Sequence, residues 1–162
     1  MPERGHRFYG TTTIRLSRVI HAPLRYVYDW CTDYRNDDGR FSKARPRPTF
    51  RVIRISPRRV LRLRIAGGTG RDPAIAVDLV RLSPPNSWHL DQIDETDQQS
   101  LDYRLTSLGR GRTRLSLLVT ERWVTPDFPT KEELRARVGR VWGRFGAAIE
   151  ADFQAGRPAK GA

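Results

Sequence analysis

The stretch that decides the fold is TKEELRARVGRVWGRFGAAIEADFQ, residues 130–154. Its apolar residues recur at steps of three and four, while arginines occupy the other faces, a pattern typical of an amphipathic helix. Thr130 and Glu133 form a T-x-x-E capping box behind Pro129, which predicts the helix start. A helix of this length is a rod of about 37 Å, and its apolar stripe needs a broad surface to cover it. The stripe consists of Leu134, Val138, Val141, Trp142, Phe145, Ile149 and Phe153.

The length of 162 residues predicts one domain, with residues 1–10 and 155–162 as flexible tails. A single cysteine, Cys31, excludes an internal disulfide and fits a reducing compartment. The beginning of the chain lacks the apolar segment of a signal peptide, and no apolar run is long enough for a membrane span. We therefore expect a cytoplasmic protein.

The formal net charge of +12 is unevenly distributed. Residues 39–71 contain eleven basic residues and no acid, whereas residues 82–103 contain five acids and no lysine or arginine. Such polarity can attract an anionic lipid surface or an acidic partner, although a solvated arginine-rich face is the simpler interpretation. The oligomeric state stays open, a dimer included.

Strand-like runs separated by turn residues fill the chain before the long helix. In the run 60–65, Leu61, Leu63 and Ile65 alternate with Arg62 and Arg64, which predicts a strand with its arginines in water. Short links between consecutive strands favour an antiparallel meander, because parallel neighbours need long crossovers. The predicted strands are 11–20, 50–55, 60–65, 74–82, 88–93, 100–108 and 113–123, with a helix from Leu24 after the first.

A glycine-rich stretch and three histidines do not support a phosphate site or a metal site. Gly67-Gly68-Thr69-Gly70 is followed by a proline and a strand, so a turn is favoured over a phosphate-binding loop. His6, His21 and His89 are scattered, and no Cys or His lies at metal-ligand spacing, so we expect no metal and no cofactor.

Aromatic and small residues suggest where a ligand would lie. Tyr26, Trp30 and Tyr34 recur at steps of four, which fits core packing and also a face turned toward a ligand. Basic residues interleave with only two aromatics in 41–50, too few to favour nucleic acid. Gly139, Gly143 and Gly146 leave space on the long helix, either for close approach of the sheet or for a ligand.

The stretch HAPLRYVYDW, residues 21–30, followed by Thr32-Asp33-Tyr34, resembles the "I-x-A-P-x-x-V-x-x-W-x-T-D" opening of the START/Bet v 1-like superfamily (SRPBCC, which includes polyketide cyclases and lipid-transfer proteins). The resemblance covers about residues 11–154. It implies an α+β helix-grip fold, with a seven-stranded antiparallel sheet wrapped around the long C-terminal helix and two short helices after the first strand. It also implies a hydrophobic tunnel for lipids, polyketides or other apolar molecules, but no catalytic motif can be carried over.

The leading hypothesis is the binding or transport of an apolar or amphipathic small molecule, lipid-like or polyketide-like, between the sheet and the C-terminal helix. One alternative is an enzyme of the cyclase/aromatase type, in which an inward arginine and Tyr103 would stabilise an enolate and move protons. Another is an RNA- or protein-binding module that uses the basic stretch 39–71. Arg62 or Arg64 would pair with ligand charge if it faced inward. The predicted ligand-binding residues are Trp30, Tyr34, Arg62, Leu63, Val77, Trp88, Tyr103, Trp142, Phe145 and Ile149.

Overall fold

The computed structural model describes residues 8–35, 47–66 and 74–159. The predicted helix-grip architecture is confirmed, and the predicted strands differ from the observed ones by at most a few residues at their ends. The elements are β1 (Gly10–Ile20), α1 (Leu24–Thr32), β2 (Thr49–Ser56), β3 (Arg59–Ala66), β4 (Ala74–Ser83), β5 (Ser87–Ile93), β6 (Asp97–Gly109), β7 (Arg112–Trp123) and α2 (Lys131–Gln154).

All seven strands form one antiparallel sheet in the order β1-β7-β6-β5-β4-β3-β2. Consecutive strands from β2 to β7 are neighbours, and β1 then adds to the outer edge of β7. The β6–β7 turn places Gly109 and Gly111 at φ values of +71° and +68°, a region that glycine adopts without strain. The meander therefore leaves β1 and β2 as the two edge strands of the sheet.

The long helix α2 begins as the capping box predicts and packs mainly over β1. The Thr130 hydroxyl accepts from the Glu133 backbone N–H at 3.2 Å, and the Glu133 carboxylate accepts from the Thr130 backbone N–H at 2.8 Å. Of the two predicted roles for the glycines, close approach of the sheet applies at Gly146. A Cβ at Gly146 would collide with the Arg18 side chain from β1, whereas one at Gly143 would lie 3.7 Å from Arg18 Nη1. Gly146 thus makes room for an arginine of the sheet.

Helix α1 is bonded to the C-terminal part of α2 and covers one end of the sheet. The Trp30 indole donates to Asp152 Oδ2 at 2.9 Å, and the Tyr26 hydroxyl donates to the Arg157 carbonyl at 3.1 Å. The His21 backbone N–H donates to Glu150 at 2.8 Å. The opposite end of the sheet, where β6 begins and β7 ends, lies away from α1.

The inner face of the sheet, turned toward α2, carries the buried core, and it corrects the face predicted for β3 and β4. Val60, Ala76 and Val80 are buried, so the inward set in these strands includes Arg62 and Asp78. Leu63 and Val77, directly opposite each other, therefore lie on the outer face. The outer aliphatic residues remain partly exposed, as Ile75 at 49% shows.

Parts of the predicted organisation fall outside the described residues: the second short helix after β1, the Gly67–Gly70 turn and the N-terminal part of the basic stretch. Within the described parts of the predicted tails, the Tyr9 backbone N–H bonds to the Trp123 carbonyl at 2.8 Å, and Ala159 is buried. No helix in the described part of the chain is both long enough and apolar enough to cross a membrane.

Candidate functional site in the concave face of the sheet

A row of polar side chains crosses the apolar inner face of the sheet. Residues directly opposite each other on neighbouring strands share a face, and the pairing register connects one inward polar residue on each of five strands. Neighbouring strands lie about 4.8 Å apart, so the row is about 19 Å long. We call it the polar band; it consists of Arg62, Asp78, Gln92, Gln99 and Glu121.

One half of the polar band is built on the ion pair between Arg62 and Asp78. Arg62 Nε and Nη2 both approach Asp78 Oδ2 at 2.6 Å, and Asp78 is only 1% exposed. With its amide nitrogen turned toward β4, Gln92 donates to Asp78 Oδ1 at 3.3 Å and accepts from Arg64 at 3.2 Å. The Arg62 guanidinium also lies over two rings, 5.1 Å from the Tyr34 centroid and 4.9 Å from the Phe50 centroid. The charge is thus paired inside the protein.

The other half is built around Glu121, whose side chain is fully buried. Gln99 donates to Glu121 Oε1 at 2.5 Å, and Arg137 from α2 donates to both carboxylate oxygens at 2.8 and 3.0 Å. Gln99 also contacts Asp97 at 3.3 Å. Burial and the neighbouring Asp97 carboxyl raise the pKa of Glu121 to about 8, against the opposing effect of Arg137. The Glu121 carboxyl therefore holds a proton at neutral pH.

Aromatic rings in contact occupy the α1 end of the concave face. Trp88 and Tyr103 are stacked at 4.6 Å, and Tyr103 lies 5.1 Å from Trp142. Phe145 is 5.6 Å from Trp142 and 6.0 Å from Trp30. Trp142 and Phe145 are half-buried and pack against the core, while the other three are buried within it. Burial raises the pKa of Tyr103 well above its usual value, so the phenol stays protonated.

The structure brings six of the ten predicted ligand-binding residues together, and places two in the core and two on the outer face of the sheet. Ile149 is fully buried as a core residue, and the indole of Trp30 is bonded to Asp152. Leu63 and Val77 lie on the outer face and cannot contact a ligand in the concavity. The other predicted residues lie on the inner face of the sheet or pack against that side: Arg62, Trp88 and Tyr103 in the strands, and Tyr34, Trp142 and Phe145 outside them.

Sequence reasoning missed the polar residues of β4 to β7, although part of the signal was present. In β7, Glu121 is in phase with Leu115, Leu117 and Val119, which places an acid on the apolar face. In β6, Gln99 is in phase with Leu101, but the predicted strand began one residue after it. Strand β4 carries apolar residues on both faces, so the alternation of its residues could not show which face Asp78 occupies.

Solved structures of several other proteins have the same fold. The aromatase/cyclase Zhui from Streptomyces sp. R1128 superposes with a TM-score of 0.60 and 16% identity, over 88% of this chain and 93% of that protein. A START superfamily protein from Mycobacterium smegmatis gives 0.65 and 11% identity, over 90% and 99% of the two chains. Ara h 8.0201 gives 0.66 and 9% identity, over 88% and 99%.

The chain has the START/Bet v 1-like (SRPBCC) helix-grip fold. At these identities the superpositions establish the fold alone. No family model and no curated protein matches the sequence. Among the described residues of this helix-grip domain, no group of three or more His, Cys, Asp or Glu side chains is placed to hold a metal ion.

Proposed function

We propose that this helix-grip protein binds a neutral, oxygenated and largely apolar small molecule along the concave face of its sheet. The observation that carries the proposal is the polar band, which interrupts an otherwise apolar interior over five strands. Polar groups inside a protein are costly to desolvate, and a row of them facing a concavity is suited to meet the oxygens of a ligand.

The charges of the band favour a ligand without net charge. The guanidinium of Arg62 is paired with Asp78, which is buried. A ligand carboxylate would have to compete with Asp78 for this guanidinium, at the loss of an existing ion pair. Carbonyl and hydroxyl groups can instead bond to amide groups such as Gln92 and Gln99 without breaking an ion pair. We therefore favour a polyketide-like or otherwise oxygenated molecule over a free fatty acid.

The apolar body of the ligand would lie against α2. Trp142 and Phe145 are half-buried, and each contacts a ring of the buried aromatic cluster. Rigid rings of this kind stack on flat or cyclic ligands and supply most of the binding energy. We call Trp142 and Phe145 the aromatic wall. Together with the polar band, it predicts a preference for oxygenated ring systems.

Two matched substitutions on one strand test the proposal. Gln99 faces inward on β6, and Gln98, the neighbouring residue, faces outward. Tryptophan fluorescence would follow titrations with a dihydroxyanthraquinone and with hexadecanoic acid. We expect the quinone to bind more tightly, and Gln99→Leu to weaken it about tenfold, equivalent to one net hydrogen bond, while Gln98→Leu has no effect. Tighter binding of the fatty acid, or equal losses from the two variants, would contradict the proposal.

A second candidate is an aromatase or cyclase that acts on a poly-β-ketone. Two features support it: the buried Tyr103 phenol is protonated at neutral pH and can donate a hydrogen bond, and several structural neighbours are aromatase/cyclases. In this alternative, Arg62 would stabilise an enolate and Tyr103 would donate a proton to it. Incubation with a synthetic poly-β-ketone surrogate and mass spectrometry of the products tests it. A loss of water from the surrogate that disappears in Tyr103→Phe would favour the enzyme; unchanged surrogate with the wild-type protein would favour binding alone.

A further inference from the structure

Two polar side chains beyond the polar band each have one buried atom without a hydrogen-bond partner among the described residues. Asp97 on β6 and Trp123 on β7 lie directly opposite each other, next to Gln99 and Glu121, at the end of the sheet away from α1. Each is 4% exposed. Within the described ranges, neither Asp97 Oδ1 nor Trp123 Nε1 has a hydrogen-bond partner. Leaving such atoms unsatisfied is unfavourable, so a site of this kind calls for a ligand or water.

The surroundings hold both side chains in place. The Trp123 ring lies between the Arg137 guanidinium, 5.7 Å from its centroid, and the Phe128 ring, which is nearly parallel at 6.2 Å. The second oxygen of Asp97, Oδ2, accepts from Gln99 at 3.3 Å. The indole therefore cannot rotate freely to find another acceptor, and the carboxyl is fixed on one side. One donor and one acceptor thus remain at fixed positions on the inner face.

This pair of atoms matches the chemistry of a hydroxyl group. A hydroxyl accepts from one donor and donates to one acceptor at the same time, which an ether, a ketone or an ammonium group cannot do. Arg137 contacts the adjacent Glu121 carboxyl at 2.8 Å, so its guanidinium charge disfavours a cation at this position. The Arg137 side chain is 47% exposed, and its guanidinium lies over the Trp123 ring.

We propose that Asp97 and Trp123 form a hydroxyl subsite at the far end of the polar band, which binds an alcohol or phenol group of the ligand. This inference rests on the proposed function and adds a position to it. Along β7 the subsite lies two residues from Glu121, about 7 Å beyond the band. A ligand that contacts both the aromatic wall and the subsite therefore carries its hydroxyl at the end remote from α1.

Three related probes test the subsite: 2-naphthol, which donates and accepts, 2-methoxynaphthalene, which only accepts, and naphthalene, which does neither. In protein labelled with ¹⁵N at its four tryptophans, Trp123→Phe identifies the Trp123 indole N–H signal. We expect 2-naphthol to shift that signal and to bind about tenfold more tightly than naphthalene, with the methoxy compound in between. Trp123→Phe and Asp97→Asn should each reduce the preference to about threefold or less without changing naphthalene affinity.

A control and three outcomes make the test decisive. Trp142→Phe should weaken all three probes and leave the hydroxyl preference intact. If the probes bind equally and shift only the Trp142 signal, the subsite is refuted while the proposed function survives. A Trp123 signal that 2-naphthol leaves unchanged means that ordered water alone satisfies the indole, and this also refutes the subsite. Absence of binding by all probes refutes both proposals. Should Trp123→Phe fail to fold, Asp97→Asn provides the same comparison.

Discussion

The buried carboxyl of Glu121 predicts an unusual pH dependence of stability. Its side chain is fully buried, and burial together with the Asp97 carboxyl raises its pKa from 4.5 to about 8, while Arg137 opposes the shift. In the unfolded chain the same group titrates near its ordinary value. Between about pH 4.5 and pH 8 the folded protein thus retains a proton that the unfolded chain has released. Stability must therefore fall as the pH rises through this interval.

The size of the effect follows from the same numbers. A pKa change from 4.5 to about 8 corresponds to at most about 5 kcal/mol once the pH exceeds the folded pKa. The neighbouring Arg137 side chain is half-exposed, so solvent near the site reduces the cost of burying the carboxylate, and we expect a loss of about 2–4 kcal/mol between pH 5 and pH 9. The sign is the reverse of that for a carboxyl in a favourable salt bridge, which loses stability in acid.

Urea denaturation at pH steps from 5 to 9, followed by tryptophan fluorescence, measures this effect. The control is Glu121→Gln, which keeps the shape and cannot titrate. Other titrating groups and the falling net charge are common to both proteins, so the difference in unfolding free energy isolates Glu121. The variant should gain on the wild type as the pH rises. A difference that stays constant from pH 5 to pH 9, or that changes in favour of the wild type, would refute the raised pKa.

Three further predictions concern stability and are measured by chemical or thermal denaturation. Asp78→Ala leaves the Arg62 guanidinium buried without its carboxylate and should cost about 3–5 kcal/mol; combining Asp78→Leu with Arg62→Met should restore most of it, and a failure to recover would contradict the ion-pair argument. Gly146→Ala displaces the flexible end of the exposed Arg18 side chain, which opposes the gain in helix propensity, whereas Gly143→Ala meets only ordinary contact. We therefore expect Gly143→Ala to be more stable than Gly146→Ala by up to about 1 kcal/mol, and equal stabilities would contradict the packing. Thr130→Ala removes one half of the capping box and should cost about 1 kcal/mol, whereas no loss would show that the cap is irrelevant.

The fold could be predicted from sequence because the decisive signals are local. The 3.6-residue period of α2, its capping box and the turn residues between strands each depend on a few neighbouring residues. The candidate site depends on which strand lies beside which, and on which face each residue occupies. That information is carried by the register, as in the pairing of Gln92 with Gln99, which no single strand reveals.

For β3, the face that the sequence predicted to be inward is the outer one. Turning Leu61 and Leu63 inward and the arginines outward would place more apolar surface in the interior, which the hydrophobic effect favours. The protein does the opposite because Val60 and Val80 belong to the apolar row of the core, and the strand alternation then brings Arg62 inward against Asp78.

Exposed aliphatic residues remain on the outer face as a consequence, among them Ile53 at 52% and Ile93 at 53%. A domain selected for stability alone would gain by the reverse arrangement, since its interior would then be apolar. Departures of this kind are expected where a sequence serves binding as well as folding. The inward arginine and the outward isoleucines thus support, from stability considerations alone, the assignment of the polar band as the part of the fold that meets a ligand.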